Sequence, residues 1–253
     1  MTDLSAFSLE GRTIMVTGAN TGIGQGIAVA CARAGATVLG VARSDMSETA
    51  TLVRKVSGTL QTLPCRLEDL DSARAMLEAA WEERPIDGLV NNAGIIRRAD
   101  AADTTEADWD EVLTLNLRTL FFLSQTYGKL VLSSGRAGKI VNIASLLSFE
   151  GGIRVPAYTA SKHGVAGVTQ ALCNEWAARG INVNAIAPGY IESNNTRALR
   201  ADPDRSAAIL GRIPAGRWGA PSDIGDAAVF LLSAASDYMH GAVIPVDGGW
   251  LAR

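Results

Sequence analysis

Few residues in this sequence can bind a metal ion or form a disulfide. Its 253 residues include three cysteines and two histidines. Cys31, Cys65 and Cys173 lie far apart, and no Cys-x-x-Cys pair occurs. An odd number of isolated cysteines is typical of a reducing cytosol. No set of His, Cys and carboxylate residues has the spacing of metal ligands, so we predict no metal site.

Long apolar runs and runs of basic residues are also absent. No apolar run approaches the ~20 residues that a membrane-spanning helix needs. Residues 1–12 lack the basic and apolar regions of an export signal. The net charge of -3 argues against nucleic acid or an anionic membrane as a partner. We therefore expect a cytoplasmic protein, and its 47% of hydrophobic residues is enough to form a full core.

Short apolar segments alternate with segments of helical periodicity along the whole chain. The strands are predicted at residues 13–17, 37–41, 60–63, 87–90, 139–143, 181–186 and 243–246. The helices are predicted at residues 25–34, 71–83, 106–130, 161–178 and 223–232. This alternation predicts one α/β domain over residues 1–253, a doubly wound parallel sheet of about seven strands with helices on both faces. The polar segment at about 190–217 is expected to be a loop or lid over a substrate.

A glycine-rich loop follows the first strand and precedes the first helix. Such a loop turns tightly and lets the backbone approach a pyrophosphate, which the start of the helix then binds. The spacing is G-x-x-x-G-x-G rather than G-x-G-x-x-G, and an ordinary loop in a chain with 26 glycines is the alternative. The loop predicts a Rossmann-type dinucleotide site formed by Gly18, Asn20, Thr21, Gly22, Ile23 and Gly24.

The end of the second strand indicates which nicotinamide cofactor is bound. NAD-binding folds usually place an acid there, on the ribose 2′-hydroxyl. In this sequence the strand ends at Arg43, and Asp45 lies further out. A guanidinium suits a 2′-phosphate, which favours NADP over NAD. The alternative is that Arg43 is only a solvated surface cation.

Tyr158 and Lys162 are candidates for the catalytic group. They are four residues apart, which places them on one helix face. An acid/base phenol near neutral pH needs a pKa shift of ~3 units, or ~4 kcal/mol. A cation ~4 Å away supplies roughly that much at an effective dielectric of ~20. An ordinary surface pair is the alternative.

Other polar residues follow neighbouring strands at the same predicted sheet edge. Ser145 comes after the fifth strand, residues 91–94 (Asn-Asn-Ala-Gly) after the fourth, and Pro188-Gly189 after the sixth. Open α/β sheets bind ligands at the carboxyl ends of their strands. With these motifs in this order, the whole sequence resembles the short-chain dehydrogenase/reductase family. The resemblance implies a Tyr158 acid/base, a Ser145 hydroxyl on the reacting oxygen, and a proton-relay water on Asn116.

The resemblance also implies cofactor contacts. Lys162 would bind the ribose and lower the pKa of the tyrosine, Asn91 would lie near the adenosine ribose, and Ile191 beside the carboxamide. The family often carries an acid after strand three that contacts adenine, whereas this sequence has Arg66 followed by Leu67. The adenine contact is therefore left open. The further contacts implied are those of Ala93, Gly94, Pro188 and Gly189. The apolar end of the chain resembles the contact by which the family forms homotetramers.

The substrate side resembles a subgroup of the family, the sugar-acid 5-dehydrogenases that act on 2-dehydro-3-deoxy-D-gluconate or gluconate. That subgroup usually uses NAD, so both cofactors stay open. Arg154 is the first candidate for binding the substrate carboxylate, and Arg97 and Arg98 are the second. Asn194 is a candidate for binding a substrate hydroxyl group. These arginines can equally form surface ion pairs. The alternative functions are a reductase of another ketone, such as a 3-oxoacyl thioester, and a dinucleotide sensor without turnover.

Overall fold

Seven strands form a single parallel sheet in the computed structural model, which describes residues 4–253. The order is β3-β2-β1-β4-β5-β6-β7, and all neighbouring strands are parallel. The strands are β1 (Thr13–Thr17), β2 (Thr37–Ala42), β3 (Thr59–Pro64), β4 (Gly88–Asn91), β5 (Gly138–Ile143), β6 (Ile181–Pro188) and β7 (Val243–Val246). Each of the seven predicted strands is present.

Helices connect the strands and cover the sheet. They are α1 (Gly22–Arg33), α2 (Ser47–Lys55), α3 (Leu70–Glu83), α4 (Glu106–Leu113), α5 (Leu120–Ser134), α6 (Pro156–Trp176), α7 (Arg197–Ala201), α8 (Pro203–Arg212) and α9 (Pro221–Leu232). A π-helical turn, Thr114–Thr119, joins α4 to α5. None of the helices in the described part of the chain is long and apolar enough to cross a membrane.

The core lies in two layers, one on each face of the sheet. Every residue of β1, β4, β5 and β6 is buried, as expected for parallel strands that are covered on both faces. One layer packs α1, α2 and α9 on the sheet, and includes Ile27, Val53 and Leu231. The other packs α3, α5 and α6, and includes Leu77 and Leu123. The doubly wound α/β fold predicted from the alternating pattern is thus confirmed.

Three segments differ from the sequence-based expectations. Helix α2 was not predicted. The helix expected at 106–130 is divided by the π-helical turn, and the expected loop at 190–217 contains α7 and α8. The single domain over residues 1–253 stays a prediction, and the first three residues, which the export-signal argument also covered, lie outside the described residues.

The strand order places a crevice between β1 and β4. The chain runs outward from β1 to β2 and β3, then returns to the other side of β1 and continues outward to β7. The loops after β1 and β4 therefore leave the sheet in opposite directions, which opens a crevice at the carboxyl edge. The loops after β2, β3 and β5 and the start of α6 surround the same edge.

Candidate active site

A cleft of about 280 Å³ occupies this crevice. Its walls come from the glycine loop after β1, the ends of β2 and β3, the loop after β4, helix α6 and the lid. The lid residues are Ser193, Asn194 and Asn195. The predicted site residues that line the cleft are Gly18, Asn20, Thr21, Gly22, Ile23, Gly24, Arg43, Leu67, Ala93, Gly94, Tyr158, Lys162 and Asn194.

The glycine loop forms a cradle that only glycine backbone can make. Gly18 and Gly22 have φ of +67° and +56°, in the left-handed region. A Cβ on Gly24 would lie 2.1 Å from the carbonyl oxygen of Gly18. Helix α1 begins at this point, and the side chain of Thr21 does not cap it. The first N–H groups of α1 therefore face a cleft suited to a pyrophosphate.

Thr17 connects the cradle to the loop after β4. Its hydroxyl donates to the carbonyl oxygen of Val90 at 3.2 Å and accepts the N–H groups of Asn92 and Ala93 at 2.9 and 3.0 Å. The Asn92 amide in turn donates to the carbonyl oxygen of Thr17 at 2.9 Å. These bonds hold the two sides of the crevice at a fixed separation.

Asn91 does not face the cleft, contrary to its expected position near the adenosine ribose. Its side chain is 4% exposed. The amide donates to Ser124 and to Asn142, each at 2.9 Å, on the side of α5. Successive residues of a strand point to opposite faces. The neighbouring Asn92 therefore faces the cleft instead.

One end of the cleft lies between the ends of β2 and β3, where the sequence predicts the adenosine half of the cofactor. Arg43 and Glu68 line it together, and Arg43 Nη1 lies 3.1 Å from Glu68 Oε1. Ser44, Cys65 and Leu67 complete the wall. Arg66, which stands where the family often has an acid that contacts adenine, is exposed and does not line the cleft. Its neighbours on either side face inward, so Arg66 faces outward.

Lys162 lies at the bottom of the cleft, one turn of α6 after Tyr158. It is 4% exposed, and its ammonium donates to the carbonyl oxygen of Ile143 at 2.6 Å. The ammonium lies 5.4 Å from the centre of the Tyr158 ring. Burial lowers the pKa of Lys162 to about 8, because the charged form loses its hydration. Tyr158 and Lys162 thus face one pocket, as the four-residue spacing predicted.

The pKa of Tyr158 lies above its ordinary value, whereas an acid/base role near neutral pH was expected to need a lowered pKa. Burial of the phenol is the main cause of the rise, and a hydrogen bond with Ser145 and the positive charge of Arg98 offset part of it. Lys162, to which the resemblance assigned the lowering of this pKa, is held by the carbonyl oxygen of Ile143. Ser145 is itself oriented by the N–H of Leu147, which donates to its hydroxyl at 3.2 Å.

Asn116 holds the loop after β4 against α6. It lies in the π-helical turn, a feature frequent at functional sites. Its side chain accepts the N–H of Ile95 at 2.8 Å and donates to the carbonyl oxygen of Ile95 at 2.9 Å and to Ser161 at 3.3 Å. These bonds fix the wall of the cleft, and the relay water assigned to Asn116 stays a prediction.

The arginine that the sequence favoured for the substrate lies elsewhere. Arg154 forms an exposed ion pair with Asp100 at 3.0 Å, outside the residues that line the cleft. Arg97 pairs with Glu111 at 2.8 Å. Arg98 forms no ion pair among the described residues and donates to the carbonyl oxygen of Asn195 at 2.9 Å. It is the arginine of the three whose charge acts on Tyr158.

The residues after β6 lie behind the cleft wall. A Cβ on Gly189 would lie 2.6 Å from the Cα of Asp247, so the loops after β6 and β7 are in close contact. Ile191 is 4% exposed and pairs with Gly219. The predicted site residues that do not line the cleft are Arg66, Asn91, Asn116, Ser145, Arg154, Pro188, Gly189 and Ile191.

A cluster of side chains connects the lid helix α8 to the loop that carries Ser145. Glu150 bonds Arg212 of α8 at 3.2 Å and accepts the indole N–H of Trp250 at 3.1 Å. The guanidinium of Arg212 lies 3.9 Å from the Trp250 ring. Tyr190 packs on the same ring with centroids 4.7 Å apart. Helix α8 is therefore tied through Glu150 to the loop after β5 and to the chain end at Trp250.

The parallel sheet with a glycine cradle at its crevice defines a Rossmann-type, dinucleotide-binding α/β protein. A family model described as enoyl-(acyl carrier protein) reductase matches residues 18–251. The 2-dehydro-3-deoxy-D-gluconate 5-dehydrogenase of Escherichia coli (strain K12) is 55% identical over 251 residues, 99% of each chain. That of Bacillus subtilis (strain 168) is 54% identical over 249 residues, 98% of each chain.

Solved structures give the same result. A candidate 2-deoxy-D-gluconate 3-dehydrogenase from Agrobacterium tumefaciens, crystallised with NADP, is 60% identical with a TM-score of 0.94, over 98% of this chain and 99% of that one. The chain belongs to the short-chain dehydrogenase/reductase family. It is an NAD(P)-dependent oxidoreductase, and the resemblance drawn from its motifs is confirmed.

Proposed function

We propose that the protein interconverts a carbonyl and a secondary alcohol at the 5-position of a six-carbon sugar acid, with 2-dehydro-3-deoxy-D-gluconate as the first candidate and gluconate as the second. The relatives from Escherichia coli and Bacillus subtilis carry the name of such an enzyme, and the solved relative carries that of a sugar-acid 3-dehydrogenase. The observation that carries the proposal to this chain is Arg98. Its guanidinium is exposed, lies outside the residues that line the cleft and has no carboxylate partner among the described residues, and its positive charge offsets part of the rise in the pKa of Tyr158.

A substrate carboxylate would complete the bonding of Arg98. An arginine that binds a carboxylate through two parallel N–H···O bonds fixes both the position and the orientation of that carboxylate. With the acid group on Arg98, the carbon chain of a small sugar acid would extend towards Tyr158 and Ser145. The lid asparagines Asn194 and Asn195 also lie at the cleft and supply amide groups for hydroxyls.

Tyr158 would transfer the proton. In reduction its phenol donates a proton to the carbonyl oxygen, and in oxidation the phenolate accepts the proton of the hydroxyl. Ser145, held by the N–H of Leu147, donates to the same oxygen. The bound nicotinamide supplies or accepts the hydride. Lys162 holds a positive charge beneath the phenol and has two further N–H groups that can bind ribose hydroxyls.

We propose NADP as the preferred cofactor. Arg43 stands at the end of β2, where an NAD enzyme would usually carry an acid. A guanidinium at that position binds a 2′-phosphate by charge-assisted hydrogen bonds. The solved relative that is 60% identical contains bound NADP, which supports the same preference.

We also propose a homotetramer that works in the cytoplasm. The homotetramer rests on the resemblance of the apolar chain end to the family's subunit contact. Cys31, Cys65 and Cys173 are unpaired, which favours a reducing compartment. Light scattering on the purified protein measures the assembly, and a stable monomer would contradict it.

A substrate panel with two arginine variants tests the proposed reaction. The panel contains 5-oxo and 5-hydroxy six-carbon sugar acids, the matching uncharged polyols and a 3-oxoacyl thioester, followed by nicotinamide absorbance with both cofactors. We expect turnover of the sugar acids. In Arg98→Leu, KM for the acid should rise at least ~10-fold, because a hydrogen bond between charged groups contributes about 1.5–3 kcal/mol.

Arg97→Leu is the matched control, because Arg97 is the neighbouring arginine and is bound to Glu111. Its KM should stay close to that of the wild type. Equal effects of the two variants, or an effect of Arg98→Leu on uncharged polyols as large as on acids, would reject Arg98 as the carboxylate ligand. Faster turnover of the thioester than of any sugar acid would reject the substrate class.

A further inference from the structure

Arg43 and Glu68 approach each other at the adenosine end of the cleft because their strands are neighbours. β2 and β3 are parallel and in register up to Ala42 opposite Pro64. The loops that follow them therefore leave the sheet side by side. Arg43 Nη1 and Glu68 Oε1 are 3.1 Å apart, and both side chains line the cleft.

Glu68 is the one acidic residue that lines the cleft within the described part of the chain. Asp45, the nearest alternative in sequence, is bound elsewhere. Its carboxylate accepts a hydrogen bond from Ser47 at the start of α2, and this bond holds its pKa below the usual value. The carboxylate that meets Arg43 thus comes from the loop after β3 and not from the end of β2.

The Glu68 side chain is half as exposed as that of Arg43, at 30% against 60%. One N–H group of Arg43 is bound to Glu68, and other N–H groups of the same guanidinium face solvent. An incoming phosphate, which carries nearly two negative charges at neutral pH, would compete with Glu68 for the guanidinium. A ribose hydroxyl is neutral and can donate a hydrogen bond to the same carboxylate.

We propose that Glu68 sets the balance between the two nicotinamide cofactors. It competes with the 2′-phosphate of NADP for Arg43, and it accepts a hydrogen bond from the 2′-hydroxyl of NAD. The Arg43–Glu68 pair then lets one cleft accept both cofactors, with Arg43 binding the phosphate and Glu68 the hydroxyl. This inference rests on the proposed function, in which the adenosine end of the cofactor lies between these two residues.

Cofactor affinity in the absence of substrate tests the proposal. Dissociation constants of NADPH and NADH are measured by fluorescence titration for the wild type, Glu68→Gln and Arg43→Ala. Glu68→Gln keeps the size of the side chain and removes its charge. We expect NADPH to bind at least fivefold more tightly and NADH at least threefold more weakly in this variant, because the competitor for the phosphate and the charged acceptor for the hydroxyl are both lost.

Asp71→Asn is the control for the change in net charge. Asp71 is the second residue of α3, its side chain is 96% exposed, and it does not line the cleft. Both affinities should stay within twofold of the wild type in this variant. The fold of each variant is checked by circular dichroism. Loss of the Arg43–Glu68 pair should change the stability of the protein little, because exposed ion pairs contribute little to it.

The outcomes separate this inference from the proposed function. If Arg43→Ala leaves both affinities unchanged, the adenosine end does not bind here and the proposed cofactor site is wrong. If Arg43→Ala weakens NADPH but Glu68→Gln changes neither cofactor, or shifts both in the same direction, the site stands and the role of Glu68 is overturned. Weaker NADPH binding in Glu68→Gln would mean that Glu68 orients Arg43 instead of competing for it.

Discussion

The buried ammonium of Lys162 predicts how the stability of the protein depends on pH. Burial lowers its pKa from 10.5 to about 8. Below pH ~8 the lysine is charged in both the folded and the unfolded state, and the folded state carries the full cost of a desolvated cation. Between that pKa and the unfolded value, the folded protein has released the proton while the unfolded chain retains it. The free energy of unfolding therefore rises with pH in this window.

The size of the effect follows from the shift. A difference of about 2.5 pKa units, at 1.36 kcal/mol per unit, gives at most about 3 kcal/mol. Lys162→Met removes the titrating group and also leaves the carbonyl oxygen of Ile143 without its partner. The loss of that hydrogen bond adds a cost that does not vary with pH. The prediction therefore concerns the slope of the difference between the two proteins and not its absolute value.

Urea denaturation at several pH values from about 7 to 11 measures this slope. The free energy of unfolding of the wild type minus that of Lys162→Met should rise by about 2–3 kcal/mol over this range. Lys129→Met removes an exposed lysine on α5 and is the control, with a difference that should stay flat. A flat difference for Lys162→Met as well would mean that the cost of the buried cation is not present in the folded protein.

Two further predictions concern catalysis and the cradle. Tyr158→Phe removes the proton donor and should lower turnover by ~100-fold or more, while fluorescence titration shows nearly unchanged NADPH binding; full activity would refute its role. Gly24→Ala places a Cβ 2.1 Å from the backbone oxygen of Gly18, so cofactor affinity and thermal stability should both fall. Gly167→Ala on α6 is the matched control, since a Cβ there meets nothing within 4 Å, and it should stabilise the protein by about 0.5–1 kcal/mol. A Gly24→Ala protein as stable as Gly167→Ala would contradict the close contact.

The sequence predicted best those strands that are buried on both faces of the sheet. The central strands are covered on both faces, so β1 is a run of apolar residues and threonine, and β5 and β6 are mainly apolar with a few buried polar residues. β3 is less apolar, because it lies at the edge of the sheet and its residues are exposed or only partly buried. The lid was wrongly expected to lack helices, although Pro203 at the first turn of α8 and its capping residue Asp202 are a recognisable start signal.

Within the site, motifs gave positions along the chain but not side-chain directions. Asn91 and Asn92 are neighbours, yet one faces the core and the other the cleft. The sequence also could not predict ion pairs between residues that are distant along the chain. Arg154 is bound by Asp100, and Arg43 by Glu68, and no local pattern predicts such partners. Arg98 became the candidate for the substrate carboxylate because Arg97 and Arg154 are already in ion pairs.

The contacts of Glu150 have a consequence for the evolution of new substrate specificity. Lid helix α8, the loop after Ser145 and Trp250 meet at this one carboxylate. A lid taken from a relative would lose the contacts of Arg212 with Glu150 and Trp250. We expect the loop that carries Ser145 to shift as a result. Chimeras that exchange the lid together with the segment around Trp250 should therefore retain more activity than chimeras that exchange the lid alone. A change of specificity through helix α8 would therefore require a matching change in the segment around Trp250.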